Sequence, residues 1–185
     1  MLGIEEINLF IFRAINSLAG ASGLLDALAV FFAKYLVAFF LFLPFCFWFW
    51  RKKRYRELAL LSLSSGALGI VVSFLLRFFY FHPRPFMLGI GKAIISHSAT
   101  SSFPSGHTTL MLSIAFSLLY FKKSRLAGII LSPFGVLGGL ARVFCGVHFP
   151  LDILGSIVVA ALSSLAAYSL RKGIKKFSPF IAPSS

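Results

Sequence analysis

Acidic residues are nearly missing from this chain: five Asp and Glu stand against eighteen Lys and Arg in 185 residues, a formal net charge of +13. The five are Glu5, Glu6, Asp26, Glu57 and Asp152, too scattered to build the oxygen cage that a hard divalent cation requires. Cysteine is equally scarce. Cys46 and Cys145 both fall inside long apolar runs, which excludes a disulfide framework and leaves two packed thiols. The first residues lack the basic-then-apolar order of a cleaved signal peptide, because Glu5 and Glu6 precede the first cation, Arg13.

What is present is grease. Apolar residues make up 58% of the chain and charged ones 12%, with a mean hydropathy of +0.91, far from an ordinary soluble domain. The expectation is an all-α integral membrane bundle in a single domain, residues 1–185, most of it in the bilayer. Its immediate partners are then membrane lipids. The positive charge does not indicate nucleic acid, because the basic residues form short clusters between apolar runs instead of one face.

In chain order, Ile4, Ile7, Phe10, Ile11, Ala14, Ile15 and Leu18 recur at helical spacing opposite Glu5, Glu6, Arg13 and Asn16. This stretch, 1–25 with its turn, is too polar for a span and predicts an interfacial amphipathic helix. Five spans follow: Asp26 to Trp50, Glu57 to Phe81, Ser105 to Phe121, Leu126 to Cys145, and Pro150 to Leu170. With the first helix they make a six-helix core. Lys34 lies inside the first span, and either snorkels or lines a polar cavity. Residues 82–103 form the one long connection, beyond the roughly 12–15 residues that an unstructured loop in a compact domain ordinarily reaches.

Charge sets the expected orientation. The loops at 51–56, 122–125 and 171–176 hold twelve of the eighteen Lys and Arg, all at the same ends of alternating spans. The positive-inside rule makes that side cytoplasmic. Arg77, Arg84, His107, Arg142, His148 and Asp152 fall at the opposite ends, which places the 82–103 loop and the candidate chemistry at the outer face of the membrane.

The densest of these regions is Ala-Arg-Val-Phe-Cys-Gly-Val-His-Phe-Pro-Leu-Asp, Ala141 to Asp152. A His with an Asp four residues on meets it across one helical turn, and Pro150 suits the first turn of a helix. Asp152 would fix the imidazole tautomer of His148, while Arg142 grips an anion. Alone, the stretch reads equally as a capping Asp, a buried His and a snorkelling Arg. Two further strings break the tie: Arg77, six residues, then Arg84-Pro85; and Pro104-Ser105-Gly106-His107. A phosphate monoester or diphosphate would need its negative charge met by fixed cations and amide donors. Arg77, Arg84 and Arg142 supply the cations. Ser105 and the N–H groups of Gly106 and His107 supply donors at a helix N-terminus, with the glycine allowing close approach.

Over residues 77–152 these strings resemble the three-part signature of the type-2 phosphatidic acid phosphatase family: Lys, six residues, Arg-Pro; Pro-Ser-Gly-His; Ser-Arg, five residues, His, three residues, Asp. Arg77 and Ala141 depart from the usual Lys and Ser. Neither removes a reacting group, but both leave substrate preference open. The resemblance implies that His148 is the nucleophile, that Asp152 orients it, and that His107 protonates the leaving oxygen and later activates water. It implies no metal and no cofactor. Two histidines and an Asp could hold zinc in principle, but three arginines oppose it.

The implied activity is hydrolysis of a lipid phosphate: undecaprenyl diphosphate, lipid A 1-phosphate, phosphatidylglycerol phosphate or phosphatidic acid. Among the family, the compact form with Asn8, Asn16 and Asp26 resembles the undecaprenyl diphosphate and lipid A phosphatases most. A phosphotransferase of the same fold, or a lipid-phosphate transporter, stays open beside it. The five spans argue against the soluble vanadium haloperoxidases, which use a similar constellation. His82 and His97 read as loop residues, with a minor role in shaping access. Oligomeric state is not readable from the sequence.

Overall fold

The computed structural model describes residues 3–50 and 52–177, without the side chains of 175–177. Among them are seven α-helices and no strand: α1 Ile4–Asn16, α2 Gly23–Lys34, α3 Leu36–Phe49, α4 Lys53–Phe79, α5 Gly106–Leu119, α6 Arg125–Phe144 and α7 Pro150–Phe177. The all-helical bundle expected from hydropathy is present. A 3-10 turn, Pro85–Leu88, interrupts the long connection. Arg51 and the side chains of Lys175 and Lys176, three of the basic residues in the charge pattern, lie outside the described residues.

By length and composition α4, α6 and α7 can each cross a membrane, and α2 with α3, bent by 41°, are together long and apolar enough for a broken span or a re-entrant loop. The sequence predicts a continuous first span instead. The break falls at Tyr35, between the two helices, where the last carbonyls of α2 lack intrahelical donors. One of them, Ala33, accepts a hydrogen bond from Arg142 Nη1 at 2.9 Å. Lys34 sits exposed at this bend. The expected third span is shorter than predicted: α5 has 14 residues, about 21 Å at 1.5 Å per residue. It packs against α4, α6 and α7, so it is the central helix of the bundle. The last helix runs past Leu170 to Phe177.

Close packing around α5 follows from small residues. Gly69 lies so near that a Cβ there would meet Ser113 Oγ at 2.6 Å, and Gly66 faces Leu110 and Ile114. Ser62 and Ser117 pair at 2.8 Å between α4 and α5. Exposed Leu, Ile and Phe side chains cover the outer faces of α4, α6 and α7, the distribution that lipid, unlike water, favours.

The first helix is turned by the same solvent logic. Ile4, Ile7, Phe10 and Ile11 are exposed, whereas Asn8 and Asn16 are buried. Asn8 Oδ1 accepts from Leu151 N at 3.0 Å. Asn16 Nδ2 donates to the carbonyls of Lys92 (2.9 Å) and Phe144 (2.7 Å), and its Oδ1 accepts from Lys92 N at 2.7 Å. Asn16, expected on the outward polar face, is therefore an internal fastener that ties α1 to the long loop and to the α6–α7 turn. Gly146 makes that turn possible: it has φ +75°, and a Cβ there would meet the Lys92 carbonyl at 2.3 Å.

Candidate active site

The α6–α7 turn carries His148, and Pro150 starts α7 so that Asp152 falls in its first turn. The pair then meets as the four-residue spacing predicts: His148 Nδ1 lies 3.1 Å from Asp152 Oδ2. The same oxygen accepts the Phe149 N–H at 2.8 Å and the Ser102 hydroxyl, which also lies 3.3 Å from His148 Nδ1. His148 is 1% exposed and Asp152 0%. On the other side of the ring, Arg84 Nη1 stands 3.1 Å from His148 Nε2. A guanidinium only donates, so Nε2 carries the lone pair and Nδ1 the proton. Burial holds this imidazole far below its ordinary value, at about 3, against the opposing pull of Asp152. The ring is neutral, with one defined tautomer.

The three arginines converge, but none is idle. Arg84, 1% exposed, also donates to the carbonyls of Thr100 (3.0 Å), Val147 (2.9 Å) and Ser101 (3.1 Å). Burial lowers its guanidinium to about 10, and the neighbouring charge of Arg77 adds to this while Asp152 opposes it. Arg77 donates twice to the Pro104 carbonyl, at 3.1 Å from Nε and 2.5 Å from Nη2. Arg142 is held on Ala33, and its buried Nε has no partner. Each predicted cation is thus clamped on backbone oxygen, which fixes its position and satisfies its buried donors except Arg142 Nε.

Ser105 is the residue before α5, and Gly106 and His107 open that helix. A Cβ on Gly106 would meet Arg77 Nη2 at 2.9 Å, so the glycine admits the guanidinium beside the helix N-terminus. Ser105 Oγ accepts from Thr108 Oγ1 at 3.0 Å, and its carbonyl accepts from Ser156 of α7 at 3.0 Å. His107 is half-buried, in the electrostatic field of Arg77, Arg84, Arg142 and His97. All eight predicted residues therefore gather at one end of the bundle.

The structure also brings in residues that sequence reasoning left aside. The His97 ring stands 6.3 Å from that of His148. Its pKa is lowered, first by burial and then by Arg84, with a smaller opposing pull from its hydrogen bond to Ser98. His82 Nδ1 lies 3.6 Å from Asp152 Oδ1. Ser102 bonds the catalytic-type pair directly. Nothing local marks these three, because their partners lie 46 or more residues away in the chain. Cys145, beside Arg142, is a buried thiol pushed up to about 11 by burial, hence unreactive. Among the described residues no three His, Cys, Asp or Glu side chains take up a metal-holding arrangement.

Its helical fold and its relatives make this chain a membrane phosphatase, a hydrolase. The chain belongs to the PAP2 superfamily, whose model matches residues 57–176. It is 35% identical over 156 residues to the undecaprenyl-diphosphatase BcrC of Bacillus subtilis (strain 168), covering 84% of this chain and 80% of that protein. The crystal structure of Aquifex aeolicus LpxE superposes with a TM-score of 0.75 at 28% identity, covering 91% of this chain and 99% of that one. A transmembrane PAP2-type phosphatidylglycerolphosphate phosphatase from Bacillus subtilis shares the fold, with a TM-score of 0.71 at 22% identity over 94% of this chain and 89% of that one.

Proposed function

We propose that this chain hydrolyses a membrane lipid diphosphate, with undecaprenyl diphosphate as the first candidate, through a phosphohistidine on Nε2 of His148. The observation that carries the reading is the relay Arg84 Nη1, His148, Asp152, with hydrogen-bond contacts of 3.1 Å on either side of the ring. It leaves a neutral imidazole whose lone pair faces a guanidinium, where a phosphate would also be drawn. The choice of lipid is supported by the similarity to BcrC over most of both chains.

The steps use this chain's own groups. Phosphate oxygens replace carbonyls that Arg77, Arg84 and Arg142 now hold, and accept hydrogen bonds from the Ser105 hydroxyl and the amide N–H groups of Gly106 and His107 at the start of α5. His148 Nε2 attacks the terminal phosphorus, the bridging P–O bond breaks, and His107 gives a proton to the departing lipid monophosphate. Asp152 balances the imidazolium charge through Nδ1–H. Water, deprotonated by His107, then attacks the phosphohistidine, releasing inorganic phosphate and restoring the neutral ring. The arginines supply the positive charge that a metal ion would otherwise bring, so turnover in chelator is expected.

The reading places the site at the outer face of a bacterial inner membrane, supported by the basic loops at the opposite end of the bundle. There a lipid headgroup reaches the span ends without leaving the interface. The test is phosphate release in detergent micelles with excess EDTA, from undecaprenyl diphosphate, lipid A 1-phosphate, phosphatidylglycerol phosphate and phosphatidic acid. Chelator-resistant turnover, fastest on undecaprenyl diphosphate and absent in His148→Ala, is the expected result. Binding without release, or activity restored only by a divalent ion, contradicts it.

A further inference from the structure

Asp152 has one oxygen fully occupied and the other not. Oδ2 accepts from His148, Ser102 and the Phe149 N–H, while Oδ1 is buried with no hydrogen-bond partner. The group that faces Oδ1 is His82, whose Nδ1 lies 3.6 Å away and is itself buried without a partner. A buried carboxylate oxygen and a buried ring nitrogen, both unsatisfied and facing each other, complete one another with a shift of a few tenths of an ångström, to about 3 Å.

The position of His82 is built, not incidental. Its ring stacks on Tyr80 at 6.1 Å with planes 16° apart, and meets the Phe149 ring edge-on at 5.6 Å. Its backbone is held on the 101–102 segment: His82 N donates to Ser101 Oγ at 3.1 Å, and its carbonyl accepts from Ser102 N at 2.7 Å. Phe149 and Ser102 both touch Asp152 as well, so the same two residues set the carboxylate and the second imidazole against each other.

Resting on the phosphatase reading above, we infer that His82 is a positioning residue for the reaction. It donates Nδ1–H to Asp152 Oδ1 and stops the carboxylate from rotating about its terminal bond. Held from both oxygens, Asp152 keeps Oδ2 aimed at His148 Nδ1 while Nε2 bonds to phosphorus. Without the second imidazole, the carboxylate turns and the nucleophile loses its alignment, whereas the arginines that hold the substrate are untouched.

The experiment compares His82→Phe, which keeps a ring between Tyr80 and Phe149 but no donor, with His82→Asn, whose amide N–H stands where Nδ1 was. With undecaprenyl diphosphate in micelles, kcat of His82→Phe is expected to fall about 10- to 100-fold, the scale of a small misplacement of reacting groups, with KM within about twofold. His82→Asn should recover most of that loss. In parallel, the His82 ring nitrogen resonance of labelled protein should move on Asp152→Asn. Equal kcat in His82→Phe and wild type overturns the inference and leaves the phosphatase reading intact. So does loss that His82→Asn does not rescue, or a His82 resonance indifferent to Asp152→Asn. A wild type that releases no phosphate overturns the phosphatase reading instead, and the resonance then decides the His82–Asp152 contact on its own. The resonance decides equally if His82→Phe melts early.

Discussion

The two ends of this bundle use the same cationic residue types in opposite ways. At one end Arg84 and Arg142 are 1% and 2% exposed, and His148 and Asp152 are buried with them. At the other, Lys52, Lys53, Arg56, Lys122, Lys123 and Arg125 are exposed. There Arg171 pairs with Glu57 and lies 4.8 Å over the Phe121 ring, and Lys172 lies 4.8 Å over that of Tyr168. An exposed cation costs little to keep and contributes little to stability. A buried one costs several kcal/mol of desolvation unless its donors are met, and at this end backbone carbonyls meet nearly all of them. On the proposed reading, a chain with so few charges keeps buried ones where the chemistry needs them. Position along the helix, more than residue type, separates the site from the topology signal.

The largest effect is expected at His148. Replacing it by alanine removes the proposed nucleophile and should lower phosphate release by about a thousandfold or more. Asp152→Asn comes next. The amide keeps one oxygen for three donors but turns an N–H toward one of its neighbours, and kcat should drop about 100- to 1,000-fold. The third effect is structural. Asn16→Ala deletes three hydrogen bonds between α1, the long loop and the α6–α7 turn, and should destabilise the fold by about 1–3 kcal/mol, read as a lower unfolding midpoint. Activity should fall only several-fold, since the relay itself is intact.

A smaller effect is expected from acid. The folded pKa of His148, about 3, lies below the roughly 6.5 of an unfolded histidine. Between these values the unfolded chain binds the extra proton, so stability is complete above pH 6.5 and declines as pH falls through the window. Histidine-labelled NMR should therefore show the His148 ring unprotonated from pH 8 down to 5, and protonation near pH 6 would contradict the burial argument. The smallest effect belongs to the other end. Lys122→Gln with Lys123→Gln removes two exposed charges, and release of phosphate in micelles should stay within about twofold of wild type. A large loss there would erase the distinction between the two ends.

Much of this architecture is legible in the residues. Hydropathy places α4, α6 and α7, and the spacing of His148 and Asp152 anticipates their hydrogen bond, because both signals are local. The bend at Tyr35 is not legible: the Ala33 carbonyl beside it is met by Arg142, more than a hundred residues away. The short α5 is hard to foresee for a related reason, since a helix surrounded by others need not match the bilayer. Asn16 shows how a pattern read correctly can be oriented wrongly. Its helix is amphipathic as the sequence predicts, but it turns this amide inward, where only the loop and turn carbonyls explain it. His82 and Ser102 belong to the site through the 101–102 segment crossing the 80–82 segment, a pairing that no sequence spacing announces.

The proposed intermediate carries a covalent phosphate on Nε2 of His148. The direct measurement is to mix the protein with undecaprenyl diphosphate labelled in its terminal phosphate, quench within milliseconds into alkali, where phosphohistidine survives, and sequence the labelled peptide by mass spectrometry. The label is expected on His148, transient in the wild type and longer-lived in His107→Ala, which lacks the proposed water-activating group. Turnover that proceeds with no label on His148, or with label on another residue, would contradict the account.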